Sequence, residues 1–346
     1  GALYNVKPKL NQIVPHSKTR TFTKKLEMKV LITGATGLVG QEIVALYLEN
    51  NIAVNYLSTS KRKIVSHPKY QGFFWDPTEN KIDLDCFDGV TSIINLAGSS
   101  ISNRWTARNK RKIVLSRTQS LQTLYQGLEK VGAGDITSFA TSSAIGIYPD
   151  SLDHYYEESY DGVDQSFLGE MAHLWEKEAD TFEKFGFPVC KLRTGLVLSN
   201  KGGALPKLTR PIKNYMGSAF GSGAQWQSWI HVQDLSKMYM FAIENKLQGT
   251  YNAVAPNPVT NSKLTKRISE TLERPLWLPN IPRIAARFLL GEMSYVLYSS
   301  QRVSCKKIEE EGYIFNFTNI CSALKEIYIE KGPKESLETD YGKEFV

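Results

Sequence analysis

The chain runs to 346 residues, 42% hydrophobic and 22% charged, which is globular composition and enough length for one large domain with a smaller lobe. Its formal charge of +7 is concentrated at the start, where Lys7, Lys9, Lys18, Arg20, Lys24 and Lys25 face only Glu27; the body is nearly neutral, which excludes an electrostatic nucleic-acid platform. No apolar run reaches the roughly 18 residues of a membrane-crossing helix, and the dispersed Cys86, Cys190, Cys305 and Cys321 offer neither a zinc site nor a disulfide framework.

Residues 1–27 lack apolar periodicity and combine Lys, Thr and Ser with almost no acid. They read as a basic extension of the kind that addresses a precursor to an organelle; the expectation is mitochondrial, with chloroplast or cytoplasm as alternatives. From Met28 onward, short β-branched runs alternate with helical stretches. Strands are predicted over 29–33, 54–57, 72–75, 92–96, 138–141 and 189–192, and helices over 38–50, 109–130 and 167–185. Such alternation implies parallel strands joined by crossover helices, so the fold class is α/β, a Rossmann doubly wound parallel sheet over 28–200. Past Thr194 glycines and prolines cluster, and residues 201–333 read mainly as a smaller C-terminal α/β substrate lobe over the carboxyl ends of the strands, with the chain returning to the sheet. Within that lobe the stretch from Ile281 to Tyr298, broken by Arg283, Arg287 and Glu292, reads as an amphipathic core helix, and residues 334–346 as a charged tail.

The first strand runs into Gly34-Ala35-Thr36-Gly37-Leu38-Val39-Gly40. Three glycines at this spacing, between a hydrophobic strand and an amphipathic helix, let backbone pass close to a pyrophosphate and seat it on a helix N-terminus. The second strand then ends in Ser58-Thr59-Ser60-Lys61-Arg62. An NAD site usually places Asp or Glu there for the ribose hydroxyls, whereas hydroxyls followed by cations suit a 2′-phosphate, so the cofactor expected is NADP(H).

Three further segments follow strand ends: Asn95-Leu96-Ala97-Gly98, Thr141-Ser142-Ser143-Ala144 with Tyr148, and Arg193-Thr194-Gly195-Leu196-Val197-Leu198. Together they resemble an extended short-chain dehydrogenase/reductase. Arg104-Trp105, Ser116-Arg117, Trp175-Glu176, Gly221-Ser222-Gly223, Trp229-Ile230-His231-Val232 with Asp234, and Asn252 to Asn261 bring the chain closer to the atypical epimerase-like branch. Members of that branch include a plant chloroplast-division protein and bacterial and animal relatives. The resemblance runs from about Met28 to Ile329. It implies that Gly34, Thr36, Gly37, Leu38 and Val39 line the pyrophosphate, that Ser58 and Thr59 meet the adenosine end, and that Leu96 and Ala97 back the ribose. It also implies that Arg117 and Val197 face the cofactor; a surface ion pair for Arg117 and core packing for Val197 are the plain alternatives.

Reductases of this superfamily act through Ser, Tyr and Lys, the phenol moving the proton and the lysine lowering its pKa. Where Tyr-x-x-x-Lys belongs, before Trp175-Glu176, the chain has Phe167 and Met171, and none of its 17 tyrosines is followed four positions later by lysine. The serine remains as Ser143 or its neighbour Ser142, and Tyr148 is the best replacement acid because it follows the same strand end. Ser143 and Tyr148 are thus the catalytic candidates. His173, Glu170 and His231 are weaker ones, equally readable as a solvated face and a satisfied core histidine. The five histidines show no ligand spacing, so no metal site is expected.

Two functional readings follow. One is an NADP(H)-dependent oxidoreductase or epimerase-like enzyme acting on a small-molecule substrate with an altered proton donor. The other is a catalytically silent NADP(H)-bound subunit, structural or regulatory, of a large organellar protein assembly, in which the nucleotide stabilises the fold by mass action. Neither calls for nucleic acid or a transmembrane segment.

Overall fold

The computed structural model describes residues 27–329. The basic extension up to Leu26, on which the organellar expectation rests, and the charged tail 334–346 lie outside the described residues.

The central strand is β1 (Lys29–Thr33), in which Val30, Leu31 and Ile32 are all fully buried. A strand buried on both faces must be covered by helices on both sides. Around it the chain lays down β2 (Ala53–Ser58), β3 (Ser66–His67), β4 (Tyr70–Asp76), β5 (Lys81–Ile82), β6 (Ser92–Asn95), β7 (Ser138–Ala144), β9 (Val189–Thr194) and β13 (Gly249–Ala253). The order across the sheet is β13-β9-β7-β6-β1-β2-β4-β3, with β5 paired to β4; the seven long strands are parallel to one another, and the two-residue β3 and β5 run antiparallel to β4. The chain leaves β1 toward β2 and returns on its other side with β6. That reversal opens a crevice at the carboxyl ends of β1 and β6, where open α/β sheets bind ligands.

The six strands expected from sequence are present, most of them longer by a residue or more. The return to the sheet is the seventh long strand, β13, which pairs with β9 from Gly249↔Cys190 to Ala253↔Thr194.

Alternation along β1 divides the core. Val30 and Ile32 face α1 (Leu38–Glu49) and α5 (Val232–Glu244), packing with Ile43, Tyr47, Leu235 and Met238. Leu31 faces α2 (Ala107–Val131) and α3 (Phe167–Asp180), packing with Leu121, Leu124, Leu128 and Trp175. Each covering helix presents apolar residues three and four apart to one face of the sheet, which is why the helical period was readable.

The C-terminal lobe has its own core, in which Trp229, Leu205, Ile212, Leu264, Ile268 and Leu324 meet. These come from α4 (Leu205–Lys213), α6 (Asn261–Thr271), α10 (Ile320–Tyr328) and β12 (Trp229–His231). Three short pairs complete the lobe: β10 (Leu196–Leu198) with β12, β11 (Trp226–Gln227) with β14 (Val259–Thr260), and β15 (Arg302–Val303) with β8 (Tyr155–Tyr156). The last elements are α7 (Arg283–Leu290), α8 (Tyr295–Tyr298) and α9 (Lys306–Glu310).

The stretch from Ile281 to Tyr298 departs from expectation. It is α7, a 3-10 turn over Gly291–Ser294 and α8, and in α7 only Ala286 is buried. The helix is amphipathic, as the sequence pattern says, but its large apolar side chains point away from the core.

Candidate functional site

The turn after β1 is built by glycines for different reasons. Gly34 has φ +70, and a Cβ there would lie 2.8 Å from the Leu96 carbonyl oxygen, so both backbone conformation and close approach require glycine. A Cβ on Gly40 would lie 2.1 Å from the Gly34 oxygen, which lets α1 start directly against the turn. Gly37 is the N-cap of α1; no side chain caps this helix and its first turn holds no carboxylate. The free N–H groups of Leu38 and Val39 therefore present the positive end of a helix dipole to the crevice. The Thr36 carbonyl accepts from Gln41 Nε2 at 2.9 Å, which holds the turn against the helix.

The neighbouring strand ends are tied to this turn by a buried polar chain that sequence reading missed. Thr33 Oγ1 donates to Asn95 Oδ1 at 2.7 Å, and Asn95 Nδ2 donates to Thr141 Oγ1 at 3.0 Å, linking β1, β6 and β7. The same Thr33 hydroxyl accepts from the N–H groups of Leu96 and Ala97 at 3.1 and 3.2 Å, fixing the segment expected to back the ribose. Each hydroxyl and amide is satisfied, as burial demands.

At the other end Ser58 closes β2, its hydroxyl accepting from the Ser60 N–H and donating to the Ser60 carbonyl, both at 3.1 Å. Thr59 is exposed, and Lys61, Arg62 and Lys63 form one exposed 3-10 turn. On the lobe side, a Cβ on Gly203 would sit 3.2 Å from Leu38 Cδ2 and 4.0 Å from the Val197 oxygen, so Leu38 and Val197 both lie against a glycine loop. Lys201 fastens that loop to α1 through Glu42 at 2.6 Å.

Arg117 has a distinct environment. Its Nη1 donates to the carbonyls of Ser99 and Ile113 at 3.1 and 3.0 Å, and its guanidinium lies 4.9 Å from the Trp175 ring centroid. A Cβ on Gly98 would come within 2.9 Å of its Cζ. Its Nε is buried without a partner, as is Trp175 Nε1, and no carboxylate pairs with it among the described residues. Burial pushes the guanidinium down to about 10. A buried cation without a counter-ion is costly, and an anion in the adjacent crevice offsets that cost. The uncapped helix, the glycine cradle and this unpaired guanidinium fit a bound dinucleotide.

Phe167 and Met171, at the positions where the resemblance leads one to expect a phenol and an ammonium, lie in an apolar setting. Phe167 opens α3 behind the Ser166 cap, its ring 5.1 Å from Trp105 at 67°. Met171 is buried with Trp105 and Ile113, and Met293 packs on them from the C-terminal lobe. Lys110 Nζ stands 5.6 Å from the Phe167 ring centroid and pairs with Glu292.

Ser143 and Tyr148, the two catalytic candidates, are both turned inward onto one buried network. Ser143 Oγ donates to Glu176 Oε1 at 2.6 Å, and Glu176 receives Arg193 Nε and Nη2 at 2.7 and 2.9 Å. Arg193 Nη1 donates to Tyr148 Oη at 3.0 Å, and Tyr148 donates to Asn252 Oδ1 at 2.7 Å. The Tyr148 side chain is fully buried and stacks on Tyr156 at 4.9 Å. Its burial raises the phenol pKa, which the Arg193 charge only partly opposes. Burial also opposes the Glu176 charge, but the Arg193 hydrogen bonds and charge outweigh it and hold the carboxyl below its usual range.

His231 is a satisfied core histidine. It caps α5 through Nδ1, which accepts from the Gln233 N–H at 3.1 Å, and its Nε2 meets Glu326 at 2.7 Å. Burial lowers its pKa, against the pull of Glu326. Asp234 accepts from the N–H groups of Asn316 and Phe317 at 2.8 and 2.9 Å, so this motif pins the C-terminal segment. Glu170 is exposed and His173 half-buried on α3.

Residues 30–254 match the model of the NAD dependent epimerase/dehydratase family, and residues 281–327 match a domain of unknown function, DUF1731. The epimerase family protein SA0724 of Staphylococcus aureus strain N315 is 34% identical over 307 residues, covering 87% of this chain and 99% of that protein. Among solved structures, human epimerase family protein SDR39U1 (isoform 2) with NADPH superposes with a TM-score of 0.75 at 25% identity, over 87% of this chain and 99% of that one. The nucleoside-diphosphate sugar epimerase of Corynebacterium glutamicum superposes with a TM-score of 0.70 at 29% identity, over 87% of this chain and 58% of that one.

Proposed function

Because the chain belongs to the NAD-dependent epimerase/dehydratase family, within the extended short-chain dehydrogenases/reductases, we propose that it binds NADP(H) and acts on a small molecule without a Tyr-x-x-x-Lys pair. The observation that carries the cofactor choice is the end of β2. No carboxylate follows Ser58 and Thr59, and the exposed Lys61 and Arg62 are available to a 2′-phosphate. The human relative solved with NADPH supports the same choice.

When bound, the cofactor supplies hydride at its nicotinamide. The chain holds the pyrophosphate on the N–H groups that open α1, with Arg117 offsetting negative charge beside Gly98. Trp105, Phe167, Met171 and Met293 shape an apolar wall that excludes water from a reacting carbonyl or sugar-like carbon. Without phenol or ammonium there, the proton comes from substrate, water or Lys110, which stands over Phe167.

A second reading is favoured by the inward turn of Ser143 and Tyr148: the nucleotide acts as a structural ligand of a silent subunit of an organellar assembly. Titration with NADPH and NADH tests the first claim. NADPH binds more tightly, and Lys61→Glu/Arg62→Glu weakens it by roughly tenfold or more while sparing NADH. Equal affinities would overturn the NADP(H) assignment. Oxidation of bound NADPH by a panel of aldehydes, ketones and quinones separates enzyme from silent subunit.

A further inference from the structure

The apolar face of α7 has no partner among the described residues. Ile284 and Phe288 are each 85% exposed and Leu289 72%, whereas Ala286 is the one buried residue of the helix. Ile284 and Phe288 are four apart and Leu289 is adjacent, so the three form one patch, and clustered exposure of this kind marks an interaction surface. Arg283 and Arg287, also four apart, flank it. An outward apolar stripe bordered by arginines is the pattern of a helix lying in a lipid interface.

A basic surface adjoins the patch. A Cβ on Gly291, immediately after α7, would lie 3.7 Å from Arg104 Nε, and Glu292 pairs with Lys110. The segment is thereby held against the start of α2, where Arg104, Arg108, Arg111 and Lys112 are all exposed. No Asp or Glu occurs between Asp88 and Glu129. Cations at a helix N-terminus oppose the helix dipole, so Arg108 in the first turn of α2 gains nothing from it. The cluster's complement is an anionic surface outside the chain. In residues 274–292 the single carboxylate, Glu292, is already neutralised by Lys110.

We propose that α7, together with the basic start of α2, docks the protein on an anionic lipid bilayer as a peripheral contact. Ile284, Phe288 and Leu289 enter the headgroup–acyl boundary while Arg283, Arg287 and Arg104 meet lipid phosphates. Insertion and charge act together, since either alone gives weak attachment. No helix among the described residues is long and apolar enough to cross a membrane, so the contact lies on the surface. Met293 of the same segment packs against the cluster of Trp105, Ile113 and Met171, as Phe167 does, which puts the docked face beside the proposed cleft.

Flotation of the full chain with vesicles tests this. It binds an equal mixture of phosphatidylcholine and phosphatidylglycerol and does not float with phosphatidylcholine alone. The triple variant Ile284→Ser/Phe288→Ser/Leu289→Ser and the pair Arg283→Gln/Arg287→Gln each weaken binding by roughly tenfold or more. Both sets lie on the surface, and unchanged melting curves show that the fold is intact. Absence of binding, equal binding to both vesicles, or variants that float like the parent chain overturns the proposal. So does a dimer in light scattering that Phe288→Ser dissociates and anionic vesicles leave intact, which gives the face to a second copy.

Discussion

Arg193 meets Glu176 side-on in the interior, Nε to Oε1 at 2.7 Å and Nη2 to Oε2 at 2.9 Å, and Ser143 adds a third hydrogen bond to the same carboxylate. The pair joins β9 to α3 and reaches β13 through Tyr148 and Asn252. Replacing one member strands a buried charge, so Arg193→Met is expected to cost about 3–5 kcal/mol in urea unfolding. The double change Glu176→Met/Arg193→Met is expected to recover part of that loss, because no lone charge remains.

The same pair carries a pH dependence. Glu176 is held below the usual carboxylate range in the folded protein, so the unfolded chain takes up its proton first as pH falls. Its stabilisation is fully present above the ordinary glutamate pKa and is lost as pH drops through the lowered folded value. The parent chain is therefore expected to lose stability more steeply in acid than Glu176→Met/Arg193→Met, as read from melting temperatures across an acid series.

Tyr148→Phe is expected to act on stability and not on nucleotide binding. The change leaves Arg193 Nη1 and Asn252 Oδ1 without their shared partner, at a cost of about 1–3 kcal/mol. Its NADPH affinity should equal that of the parent chain. A selective loss of NADPH oxidation at unchanged stability would instead return Tyr148 to a catalytic role.

Arg117→Met should separate the fold from the ligand. Because the guanidinium has no counter-ion among the described residues and its Nε is buried without a partner, its removal is expected to leave the ligand-free protein as stable as before, or more stable. The same change should weaken NADPH binding by roughly tenfold or more. Thermal melts with and without NADPH read both signs together; a large loss of stability without ligand would make Arg117 purely structural.

Gly40→Ala tests the cradle. Its Cβ would fall 2.1 Å from the Gly34 oxygen, so α1 must move away from the turn. Nucleotide affinity should fall by roughly tenfold or more, since the helix N-terminus no longer meets the pyrophosphate. Isothermal titration at a temperature where the variant is folded is the measurement.

The sheet was legible because its strands carry local signals. Val30-Leu31-Ile32 is apolar on both faces, and the covering helices repeat apolar residues at helical spacing. Strand β13 was not specified as such, since Gly-Thr-Tyr-Asn-Ala has little strand signature and becomes a strand by pairing with β9. The uneven direction of α7 escaped for a related reason: Arg-Ile-Ala-Ala-Arg-Phe-Leu-Leu shows two unlike faces, but the period does not say which one meets the protein.

The residues of Gly34 to Gly40, the hydroxyls and cations after β2, and the lack of any tyrosine followed four positions later by lysine are matters of sequence alone. Each depends on residue type at a fixed local spacing, which needs no coordinates to be seen. The surroundings of Ser143 and Tyr148 were decided by the tertiary structure. Their partners Glu176 and Asn252 lie 33 and 104 positions away, and only the parallel pairing of β7, β9 and β13, with α3 packed on the sheet, brings those groups together. A polar side chain at a strand end can turn toward solvent or toward the core. Which way it turns depends on where distant donors and acceptors are placed by the fold, and here they draw both residues inward.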